Sequence, residues 1–148
     1  MLLLIDCTKY CGLLRRVTKS QFYEASKDYK QAEADCVAGK PPFYPSLIWS
    51  DFDGDGQKDY AVRISRGRNA ITIAFLKRGA GFKDYMLYTD QEENGVLELS
   101  KKGGKYFDHE RNRGGVYPND TITIGYCGVS AIAFIYRNGV FQKVFTSD

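Results

Sequence analysis

Four carboxylates fall within the nine residues "DFDGDGQKD" (51–59), at positions 51, 53, 55 and 59, with glycines at 54 and 56 between them. Side chains at every second position of an extended segment share one side. A tight fold of this stretch therefore gathers Asp51, Asp53, Asp55 and Asp59 around a common centre. Two such charges at about 5 Å repel by about 1 kcal/mol even at the dielectric of water, and by more when partly buried. A cation at the centre would remove that cost. The residues that follow, "DYAVRIS", alternate Tyr60, Val62 and Ile64 as one face of a strand does, so the loop is expected to join two strands.

Calcium suits this spacing. It is a hard cation that takes six to eight oxygens, and a loop can wrap it when alternate side chains point inward. Asp51, Asp53 and Asp55 hold loop positions 1, 3 and 5, the backbone carbonyl of Gln57 holds position 7, and Asp59 closes the set at position 9. Gly56 stands at position 6, where the chain turns sharply and a positive φ is easiest for glycine. An EF-hand would continue to a bidentate Glu at position 12, but Val62 occupies it here. Magnesium and manganese, with tighter octahedral shells, suit the loop less well, and an acidic Asp-Gly turn without metal is the alternative.

The stretch "DFDGDGQKDYAV" resembles the calcium-loop segments of FG-GAP and VCBS-type repeats in integrin-like β-propellers. That resemblance implies calcium ligands at Asp51, Asp53, Asp55, Gln57 and Asp59. It covers about fifteen residues in a single copy, whereas a propeller needs several four-stranded blades, so a full propeller is not expected. More loosely, the chain is similar to small bacterial envelope or secreted proteins of poorly characterised function. This implies a calcium-clasped sheet domain, often exported, with no catalytic residues to carry over.

The remaining sequence supplies a scaffold. At 148 residues a single core is expected, one that buries about 70% of the unfolded chain's surface. Thr18 and Gln21 form a capping box, and Phe22, Ala25, Tyr29, Ala32 and Cys36 share one helical face, which predicts an amphipathic helix over 18–39 ended by Gly39 and Pro41. From residue 46 onward, short runs rich in Val, Ile, Phe and Tyr alternate with Gly, Asn, Asp and Lys. They predict strands near 46–50, 59–65, 70–77, 82–88, 96–99, 120–126, 130–136 and 140–145, with Asn138-Gly139 as a type I′ turn. The segment 100–120, charged and rich in glycine, reads as a long loop. The expected class is α+β: one domain over 1–148, its 18–39 helix following an N-terminal segment (1–17) and packing on a mainly antiparallel meander from 46–148.

Composition removes several functions. No run approaches 18 apolar residues, so no membrane span is expected. Net charge is only +3, and "RISRGRN" (63–69) reads as a solvated hairpin tip, since no basic stripe with interleaved aromatics marks a nucleic-acid surface. Cys7, Cys11, Cys36 and Cys127 form no CxxC, and one histidine cannot build a multi-imidazole centre. The start "MLLLIDCTKYCGLLRR" lacks the basic region of a signal peptide and leaves two readings open, a clipped export sequence or a segment that packs on the core.

Few residues offer catalysis. His109, with Asp108, Glu110, Arg111 and Arg113 around it, and Cys127 are the candidates, and no sequence neighbour activates either. The leading expectation is thus a non-enzymatic calcium-binding domain that acts as a protein-interaction module. Its partner is another protein, and its compartment is periplasmic or extracellular, where calcium is plentiful; without a clear signal peptide the cytoplasm stays open. Alternatives are an inhibitor or immunity-type protein, favoured if the 108–113 segment protrudes, and a hydrolase using the 100–120 loop.

Overall fold

The computed structural model describes residues 47–66, 69–91, 95–126 and 130–146, the side chains of 64–66 excepted. All strand pairs in it are antiparallel. β1 (Leu47–Ser50), β2 (Asp59–Arg66), β3 (Asn69–Arg78) and β4 (Gly81–Asp90) form one four-stranded sheet in sequence order. The second contains β5 (Gly95–Ser100), β8 (Thr121–Tyr126), β9 (Ser130–Arg137) and β10 (Val140–Thr146), in the spatial order β10-β9-β8-β5. Between β5 and β8 the chain makes a hairpin of β6 (Lys105–Asp108) and β7 (Arg113–Val116).

The two sheets pack face to face. Ile48, Phe52, Ala61, Ala74 and Leu76 from the first half meet Leu97, Ile122, Ile124, Ile132 and Phe134 from the second in one buried cluster. Strand periodicity assigns the residues: Ile132 and Phe134 of β9 point between the sheets, while Ala133 and Ile135 point outward and join Tyr117 and Val144. Tyr106 of the hairpin packs on that outer cluster and stacks on Tyr117 at 4.9 Å, so β6–β7 lies over the outer face of the second sheet. On the first sheet, Tyr60, Val62, Ile73 and Phe75 form a further buried cluster on the face turned away from the second sheet.

These observations correct the α+β expectation. The described residues hold no helix, and they build a β-sandwich rather than one meander with a helix across it. One apolar face of the first sheet packs against the second sheet. The predicted helix over 18–39, the N-terminal segment, and Cys7, Cys11, Cys36 and Cys127 lie outside the described residues. The segment 100–120 is likewise not a plain loop, since it contains β6–β7. Glycines 114 and 115 and the charges around them hid that hairpin from a reading based on strand formers. Among the described residues no helix is long and apolar enough to cross a membrane.

Candidate metal centre

The sandwich brings several connections to one end: the β1–β2 loop, the β3–β4 turn and the segment leading into β8. Asp120 ties the first to the last, because its carboxylate accepts hydrogen bonds from the Ser50 hydroxyl, the Lys102 N–H and Lys101 Nζ. Asn119 lies so close to the acidic loop that a Cβ on Gly54 would stand 2.6 Å from its Oδ1.

Alternation holds at the start of the loop and not at Asp55. Phe52 points the opposite way from Asp51 and Asp53 and is buried in the inter-sheet core, where it anchors the loop's start. Asp51 organises the turn: its Oδ1 accepts from Gly54 N–H at 2.7 Å and its Oδ2 from Gly56 N–H at 2.9 Å. Both glycines have φ near +81°, a left-handed conformation that L side chains adopt only at a cost. The loop therefore wraps its own backbone donors around the first carboxylate.

Asp59, the first residue of β2, is fully buried on the inner side of its sheet. Its Oδ2 accepts from Phe52 N–H at 2.9 Å and its Oδ1 from Lys77 N–H at 2.7 Å, so it fastens the loop to β3. Burial pushes its carboxyl up from the ordinary 3.8 to about 6, with the charges of Asp53 and Asp55 adding to the rise and the two backbone donors opposing it.

Three of the expected ligands converge. Asp51, Asp53 and Asp59 each offer an oxygen, and these oxygens all lie within 4.8 Å of one another. Calcium–oxygen distances of about 2.3–2.6 Å place ligands on opposite sides of an ion about 5 Å apart, so one ion can touch all three. The group can hold a metal ion. Asp55 stands apart from it: Oδ1 accepts from Gln57 N–H at 2.8 Å, and Oδ2 accepts from Gln57 Nε2 at 2.9 Å and Arg78 at 3.3 Å. The Gln57 hydrogen bond is the main cause that holds the Asp55 carboxyl below its ordinary value.

Arg78 is the residue that the spacing analysis missed. It ends β3, and its NH2 lies 2.6 Å from Asp53 Oδ2 while NH1 reaches Asp55 Oδ2. The register of β2 against β3 pairs Tyr60 with Phe75, which brings Arg78 beside a loop more than twenty residues earlier. Nothing local in the sequence marks that pairing.

The candidate catalytic segment lies at the turn of the β6–β7 hairpin. Asp108 is buried where β6 enters the turn, and its carboxylate accepts from Arg111 N–H at 3.0 Å and from Arg111 NH1 at 2.8 Å. His109 donates its backbone N–H to Phe145 O, and its ring packs edge-on against Phe107 at 5.0 Å. The turn end of β6–β7 is thus pinned to β10 through the His109 backbone, while residues 109–114 are exposed.

No family model, curated protein or solved structure matches this chain. The functional reading stands on the residues and their geometry.

Proposed function

We propose that this chain is a calcium-stabilised β-sandwich that serves as a protein-interaction module outside the cytoplasm. The observation that carries the metal reading is the convergence of Asp51, Asp53 and Asp59 oxygens within 4.8 Å between two paired strands. The calcium identity rests on hard oxygen donors alone and on the loop's likeness to FG-GAP segments. Asp55 and the Gln57 carbonyl complete the shell once Asp55 releases its present partners. Calcium bound there supplies charge neutralisation and a cross-link between the loop and the start of β2. The interaction role rests on large apolar side chains left exposed on β4 and on the hairpin, Phe82 and Met86 on the one, Phe107 and Val116 on the other.

The location follows from affinity. Extracellular calcium modules bind with Kd of about 10⁻⁴–10⁻³ M, which cytosolic calcium would leave empty. At Kd of about 10⁻⁴ M, 1 mM calcium stabilises the fold by about 1.4 kcal/mol. That raises Tm by about 3–6 °C for a domain of this size. Calorimetry and thermal melts with calcium, magnesium and chelator test it. Calcium should produce the shift, magnesium less, and Asp53→Ala should abolish it. No calcium binding up to several millimolar would refute the metal reading.

A further inference from the structure

We propose that Arg78 is a built-in competitor for the metal, a counter-cation that closes the acidic loop when calcium is absent and must leave Asp53 when calcium binds. The inference rests on the calcium reading and names how that site is regulated. Its origin is a conflict on one side chain. Asp53 belongs to the group of three carboxylates that can share an ion, yet its Oδ2 pairs with Arg78 NH2 at 2.6 Å. Its Oδ1 accepts from Asp55 N–H at 3.2 Å. A guanidinium carries no lone pair to offer a metal, so it can only neutralise the site or vacate it.

Arg78 has somewhere to go. Its side chain is 39% exposed, and it already reaches two neutral acceptors, Lys77 O at 2.7 Å from NH1 and the Tyr136 hydroxyl at 3.4 Å from NH2. Tyr136 belongs to the second sheet, where its ring meets Tyr85 and Phe141 edge-on at 6.1 and 5.0 Å. Breaking the Asp53 and Asp55 pairs therefore moves a charge from the loop toward an aromatic cluster between the two sheets. Asp55 loses one partner in the same step, since Arg78 holds its Oδ2 as well, while Gln57 still donates to both of its oxygens.

The test compares calcium affinity in the wild type and Arg78→Gln by titration calorimetry at fixed pH and ionic strength. Removing one positive charge beside a doubly charged ion should tighten calcium binding about tenfold after screening by salt. Arg78→Lys, which keeps the charge, should stay near wild type. A folded Arg78→Gln variant with wild-type or weaker affinity overturns the inference while leaving the calcium reading intact. Binding in neither protein overturns both. A second measurement needs no variant: in wild-type protein the Arg78 Nε–H resonance should shift as calcium is added, and an unmoved resonance at saturating calcium would also overturn the proposal.

Discussion

Asp59 concentrates the loop's chemistry in one carboxyl. It is buried, it clasps one backbone donor from the loop and one from β3, and its ionisation is displaced upward to about 6. In chelator-treated protein the folded state keeps this proton over a range where the unfolded chain has lost it. The contribution to stability is therefore complete below about pH 3.8 and is lost as pH rises through about 6. Urea unfolding at several pH values with chelator present should show this fall superimposed on the other carboxylates. Asp59→Asn lowers stability overall, because an amide NH2 would face one of the two backbone N–H groups. Its slope between pH 4 and 6 should nevertheless be more positive than that of the wild type. Equal slopes would show that Asp59 titrates as an ordinary carboxyl.

The elements form where period and turn chemistry agree. β9 and β10 pair from Arg137↔Val140 outward, and the two residues between them, Asn138 and Gly139, have φ of 52° and 84°. That double positive φ is the type I′ geometry, whose twist matches the strands. Gly139→Ala puts a Cβ into a left-handed position and should cost about 1 kcal/mol, read as a lower urea midpoint at unchanged m-value. A loss below about 0.3 kcal/mol would mean that the turn relaxes without penalty. The hairpin β6–β7 shows the opposite case. Its strands are four residues each and β7 holds two glycines, and what holds them is the Tyr106–Tyr117 stack, the His109–Phe145 backbone bond and the Asp108–Arg111 pair. Propensity is weak there, and tertiary contact decides.

On the scale of the whole molecule, β2 carries two buried charged residues on its inner face. Asp59, Ala61 and Arg63 share that side, so "DYAVR" buries a small apolar residue between two polar plugs. Arg63, expected in a solvated tip, is buried and donates to Gly95 O, Thr72 Oγ1 and both oxygens of Asp90. The Tyr126 hydroxyl donates to the same Asp90, and burial is the main cause that raises the pKa of that phenol. Asp90 thus joins β2 and β4 of one sheet to β8 of the other. Removing it takes a carboxylate away from a buried guanidinium, so Asp90→Ala should destabilise by about 3 kcal/mol. The double variant Arg63→Met, Asp90→Leu should recover most of the loss, as apolar replacements of buried pairs often do. If Asp90→Ala costs less than about 1 kcal/mol by urea unfolding, the network does not bind the sheets together.

What the sequence determined by itself is local. The eight strands expected after residue 46 fall within two residues of β1–β5 and β8–β10, because alternation and turn residues act over a few positions. The acidic loop was legible for the same reason, since its spacing and glycines lie within nine residues and strands flank it directly. Tertiary structure alone decided which strands share a sheet. β5 follows β4 in sequence yet pairs with β8, because two half-apolar sheets bury more surface against each other than one continued meander can. It also decided the partners that matter at the site. Asp53 acquires Arg78 through strand register and Gly54 acquires Asn119 through sheet packing, separations at which neighbouring residues carry no information.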